Sequence, residues 1–135
     1  LLETAFEDQT LCARSPWDDS RAIHFKVTSF SRQWTNRPHL WRPPTDLFEN
    51  EEAFVVRVEI AGMQDAELNI ASEGQLLAIY GTRAHEAERA AYHQMEVRFG
   101  EFLSLVELPG PSDVEAITAH YEDGFLLVTV PKAGR

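Results

Sequence analysis

The stretch Ala119-His120-Tyr121-Glu122-Asp123-Gly124-Phe125-Leu126-Leu127-Val128-Thr129-Val130-Pro131-Lys132 decides how this chain is read. Glu122-Asp123-Gly124 is a hairpin signal, because Asp and Gly accept the positive φ that tight turns demand. Residues 125–130 read as a strand, and Pro131, which has no N–H to give to a ladder, closes it. On the N-terminal side, Val114-Glu115-Ala116-Ile117-Thr118-Ala119 reads as a further strand.

Working back from there, the same punctuation recurs. Phe54, Val56, Val58 and Ile60 alternate with Val55, Arg57 and Glu59, a period of two that buries one face. Ala61-Gly62-Met63 turns the chain into a strand in which Leu68 and Ile70 alternate with Glu67, Asn69 and Ala71. Glu73-Gly74-Gln75 turns it again into Leu76-Leu77-Ala78-Ile79-Tyr80. Phe102, Ser104, Val106 and Leu108 form another alternating set that ends at Pro109-Gly110-Pro111. Short strands at this spacing predict an all-β antiparallel sandwich or barrel. One segment breaks the rhythm. Ala84-His85-Glu86-Ala87-Glu88-Arg89-Ala90-Ala91 is rich in helix formers and reads either as a short helix or as a charged loop.

The first forty residues show no sustained period. Ile23-His24-Phe25-Lys26-Val27 alternates and reads either as a short strand or as part of a floppy arm. Trp41-Arg42-Pro43-Pro44-Thr45-Asp46 then breaks any helix or central strand. This places an N-terminal arm at 1–40, the strand-rich domain at 41–132 and a residual tail at 133–135. The arm balances five acids against five bases (Glu3, Glu7, Asp8, Asp18, Asp19; Arg14, Arg21, Lys26, Arg32, Arg37), so the whole net charge of −10 falls on residues 41–135. An acidic domain repels phosphate backbones, which argues against nucleic acid as a partner.

At this point the motifs resemble those of the small heat shock proteins, the Hsp20/α-crystallin family, in its bacterial and plant form. Residues 119–132 resemble the signature A-x-x-x-n-G-v-L-x-v-x-v-P-K. Trp41-Arg42-Pro43-Pro44-Thr45-Asp46 resembles the start of the family's domain. Val58-Glu59-Ile60-Ala61-Gly62-Met63 resembles its strand-to-turn segment, and Gly100-Glu101-Phe102 with Leu108-Pro109 resembles G-x-F-x-R-x-F-x-L-P. Four motifs in order span residues 41–132. The resemblance implies an immunoglobulin-like β-sandwich, the α-crystallin domain, that forms homodimers and larger homo-oligomers. Tyr92, Gln94, Met95, Glu96 and Arg98 look like its dimer loop, 84–99, which pairs with the partner's first domain strand, here about 46–50.

By the same resemblance Leu68, Ile70, Ile117 and Ala119 line a groove that receives tails or client segments; read from the residues alone, both pairs are equally plain core. Trp17, Ile23, Phe25, Phe30 and Trp34 of the arm read either as client contacts or as packing on the domain or a sister subunit. Two departures stand out. Ser104 occupies the place of the family's central arginine, which puts its charge network near the dimer contact in doubt. Lys132-Ala133-Gly134-Arg135 carries no I-x-I tail, so the groove is expected to be empty or filled by a substitute, for which the arm is the natural candidate.

The residues offer no catalytic, cofactor-binding or metal site. His24, His39, His85, His93 and His120 match no metal-ligand spacing, and no G-x-x-x-x-G-K-[ST] loop or G-x-S-x-G elbow occurs. Cys12 is the lone cysteine, which fits a cytoplasmic protein, and no apolar run predicts a membrane span. The function implied is that of an ATP-independent holdase whose partners are unfolding clients and copies of itself. The alternative is a co-chaperone adaptor with a related sandwich.

Overall fold

The computed structural model describes residues 9–15, 18–29, 40–63, 68–85 and 90–134, the first two stretches by the course of their backbone. Among them nine strands form two sheets. Strands β1 (Gln9–Ser15), β2 (Asp18–Ser29), β5 (Leu68–Glu73), β6 (Leu76–Arg83) and β7 (Gly100–Glu107) follow one another across the five-stranded sheet. The other sheet holds β3 (Thr45–Glu49), β4 (Ala53–Glu59), β9 (Phe125–Pro131) and β8 (Thr118–Glu122), in that spatial order. Every ladder is antiparallel except β2 against β5, which is parallel. The chain is thus an all-β sandwich, the one of the two architectures left open by the periodicity that the family resemblance implies.

The alternation read from the sequence is what packs the two layers. Phe54, Val56, Val58 and Ile60 are buried while Arg57 and Glu59 face water. They share one core with Ile70, Leu77, Ile79, Phe102 and Val106 from the opposite sheet, and with Leu126, Val128 and Val130 from β9. A core built from both inner faces is the ordinary way two sheets remove apolar surface from water.

The hairpin at 122–125 turns as its sequence demands, with Asp123 at φ 58° and Gly124 at φ 84°. The strand expected over 114–119 differs. Asp113 caps a 3-10 turn at Val114–Ala116, its Oδ1 accepting from Glu115 N at 3.3 Å and its carbonyl from Ala116 N at 3.1 Å. Asp competes with strand ladders in this way through its short acceptor side chain. Strand β8 therefore begins at Thr118 and runs through His120 and Tyr121 to the hairpin. In the odd segment Ala84, His85, Ala90 and Ala91 are irregular rather than helical, and 86–89 lie outside the described residues.

The proline-rich boundary is built into the sandwich. Trp41 bridges Phe102 in parallel: its N–H donates to Glu101 O at 3.2 Å, and Leu103 N–H donates to Trp41 O at 2.9 Å. Pro43 is buried, and the Pro44 carbonyl accepts from Glu59 N at 3.0 Å.

Candidate functional site

Strands β5 and β8 stand where the two sheets would otherwise end on the same open side, and β2 is set between them. It pairs with β5 through Val27 opposite Ile70, Thr28 opposite Ala71 and Ser29 opposite Ser72. Strands β1 and β2 both lie against β8. The hairpin they form continues away from β5, with Leu11 opposite Phe25 and Ala13 opposite Ile23. Parallel pairing over three rungs is a short hold, and parallel ladders are slightly weaker per residue than antiparallel ones.

The four groove positions sit beside this strand. With β2 in place, Ile70, Ile117 and Ala119 are 1–3% exposed and belong to the main core, while Leu68 is half-buried against it. Tyr121 ties β8 to the turn after β4, donating its hydroxyl to Ile60 O at 2.9 Å and accepting from Met63 N at 3.3 Å. Of the arm positions, Ile23 and Phe25 lie in β2 by backbone; Trp17, Phe30 and Trp34 lie outside the described residues.

The positions expected to form a dimer loop lie on a second, separate surface. Tyr92, Met95 and Val97 are 47%, 54% and 62% exposed, three large apolar side chains close together in sequence and open to water. Gln94 Nε2 donates to Glu96 Oε2 at 3.1 Å, both in water, and Arg98 is exposed. Strand β3, at the rim of its sheet, pairs only with β4 among the described strands and exposes Leu47 and Phe48. An unpaired strand edge with apolar side chains is a template for another strand.

Sequence reasoning missed the base of this loop. Arg83, the last residue of β6, donates from Nε at 3.0 Å and from Nη2 to the carbonyl of Arg98, and from Nη1 to Ala61 O at 3.1 Å. Its guanidinium lies 4.7 Å from the Trp41 ring centroid and 5.4 Å from that of Phe99. The His85 ring meets that of Phe99 at a tilt of 58° with centroids 4.7 Å apart, and its Nε2 meets the Tyr92 hydroxyl at 2.9 Å. The only signal available in the sequence was an arginine closing a strand just before a long irregular segment.

Ser104 is fully buried on the core side of β7, its hydroxyl 2.6 Å from that of Thr45. Among the described residues no group of three or more His, Cys, Asp or Glu could hold a metal ion, and no helix is long and apolar enough to cross a membrane. Asp46 with Arg57 (2.8 Å) and His120 with Glu122 (2.9 Å) pair on an open, shallow face.

Comparison with known proteins agrees with this geometry. The model of the Hsp20/alpha crystallin family matches residues 46–135. The chain is 36% identical over 121 residues to the 16.9 kDa class I heat shock protein 1 of Triticum aestivum, covering 87% of this chain and 78% of that protein. It is 29% identical to small heat shock protein C4 of Rickettsia felis, over 79% of this chain and 67% of the relative. It spans 60% of the length of two further curated relatives, from Rickettsia felis and Arabidopsis thaliana. The solved structure of hspA from Xanthomonas axonopodis superposes with a TM-score of 0.63 at 29% identity, over 68% of this chain and 94% of that one. These relatives are chaperones and not enzymes, and the chain belongs to the Hsp20/alpha crystallin family of small heat shock proteins.

Proposed function

We propose that this protein is an ATP-independent holdase: it binds segments of partly unfolded clients and keeps them from aggregating, without making or breaking a bond. The observation that carries the reading is the seating of β2 on β5, with Val27 opposite Ile70. An edge that accepts one extended segment over three rungs can accept another by the same main-chain bonds, with alternate side chains entering the space toward β8. A client exposing an apolar strand has both features, and burial of its side chains contributes about 25 cal/mol per Å². That attraction is non-directional, which suits clients of no common sequence. Ile23 and Phe25, and with them Trp17, Phe30 and Trp34, are the proposed client contacts of the arm, and Leu68, Ile70, Ile117 and Ala119 those of the groove.

The same proposal places 1–40 as the arm, 41–132 as the domain and the protein in the cytoplasm. Its assembly unit is a homodimer in which residues 84–99 cross to strand β3 of a partner. The exposed Tyr92, Met95 and Val97 and the exposed Leu47 and Phe48 support that exchange. The deciding experiment is heat-induced aggregation of a model client with ATP omitted. Protection at stoichiometric protein is the expected result; undiminished turbidity at excess protein overturns the holdase reading.

A further inference from the structure

Arg83 does more than end a strand. Three parts of the chain far apart in sequence meet on its guanidinium: the stretch leading from the arm into the domain (Trp41), the turn after β4 (Ala61), and the returning end of the irregular loop (Arg98 and Phe99). The planar fork gives two donors to one carbonyl and one to another while both faces remain available to rings, a combination that a lysine cannot reproduce. The returning stem is closed further by Trp41, whose Nε1 donates to Gly100 O at 3.3 Å, and by His85 on Phe99. Beyond this clamp, residues 90–98 are all exposed.

We infer that Arg83 is the positioning residue of the exchange loop, locking its returning stem to the sandwich so that residues 90–97 project, already ordered at one end, toward a partner's edge. This rests on the strand-exchange dimer proposed above. A loop that is fixed at its stem before association has less freedom left to lose on binding, which raises affinity with no new contact across the interface. Because the clamp includes Trp41, it also joins the loop mechanically to the point where the arm leaves the domain.

The test compares wild type with Arg83→Lys and with Phe99→Leu, which removes one ring of the clamp but no hydrogen bond. Dimer dissociation is read by sedimentation velocity, loop order by amide hydrogen exchange over 90–99, and global stability by thermal unfolding. Arg83→Lys is expected to raise the dimer dissociation constant about tenfold, the scale of the freedom that a loosened stem must give up again on association. It is also expected to speed exchange in the loop, to lower the unfolding midpoint modestly, and to leave core amides away from Trp41 and Ala61 protected as in wild type. Phe99→Leu shifts both loop readouts the same way by less. Unchanged dissociation together with unchanged loop exchange overturns the assignment. A wild-type chain that is monomeric at every concentration removes the strand-exchange reading instead, and the role of Arg83 is then decided by loop exchange in the monomer.

Discussion

The hydroxyls of Thr45 and Ser104 lie 2.6 Å apart, joining the start of β3 to the middle of β7 across the sandwich. Thr45 also donates to the Pro43 carbonyl at 2.9 Å, so the proton between the two hydroxyls comes from Ser104. Ser104 is fully buried between Phe102 and Val106 on the core side of its strand. Resemblance to the family sets an arginine at this position, where this sandwich holds a small, satisfied polar pair.

Ser104→Ala is therefore expected to destabilise the domain by about 1 kcal/mol, the net worth of one neutral hydrogen bond. Ser104→Arg is expected to cost more, about 3 kcal/mol or above, since it overfills a packed layer and buries a charge with no partner. Denaturant midpoints of the two variants check the order; an arginine variant as stable as wild type would show that the side chain finds a way out to water.

Gly124 makes a second prediction. Its φ is 84°, and a Cβ there would come within 3.2 Å of Ala61 Cβ and 3.4 Å of Ala61 Cα. Gly74 has φ 60° with open space around it. Gly74→Ala carries only the left-handed backbone cost, about 1 kcal/mol, whereas Gly124→Ala adds a steric conflict for about 2 kcal/mol in all. Equal losses in urea unfolding would mean that the turn at 61–62 moves aside freely.

For the proposed dimer, Gln94→Pro removes an N–H from the segment that would pair with the partner's β3. The dimer dissociation constant is expected to rise by an order of magnitude or more while the monomer fold stays intact, since Gln94 is exposed and bonds only to Glu96 among the described contacts. Analytical ultracentrifugation at low concentration, paired with circular dichroism, separates the two effects.

For the arm, Ile23→Ser together with Phe25→Ser lowers the apolar content of β2 and leaves β3 to β9 unaltered in sequence. Each change removes up to about 2 kcal/mol of apolar burial on whatever surface the arm or a client covers. Limited proteolysis of residues 1–40 is expected to accelerate, and protection of a large client to fall. Proteolysis that speeds up with protection unchanged would assign client capture to the domain rather than to the arm.

The strands of the domain were legible in the sequence because burial on one face writes a period of two, as in Phe54, Val56 and Val58, and because Asp123-Gly124 can adopt what its turn requires. The 3-10 turn at Val114–Ala116 was not, since an alternating stretch says nothing about whether Asp113 will cap it. By itself, then, the sequence determined an all-β domain, its turns and its family signature, all local or strictly periodic properties, and only through that signature did it imply a sandwich rather than a barrel. Only the tertiary structure decided that β2 lies parallel on β5, that Ser104 answers Thr45 across the core, and that Arg83 gathers Trp41, Ala61 and Arg98. Each of these joins residues more than ten positions apart, and such pairings are chosen by how whole sheets stack, which no local propensity encodes.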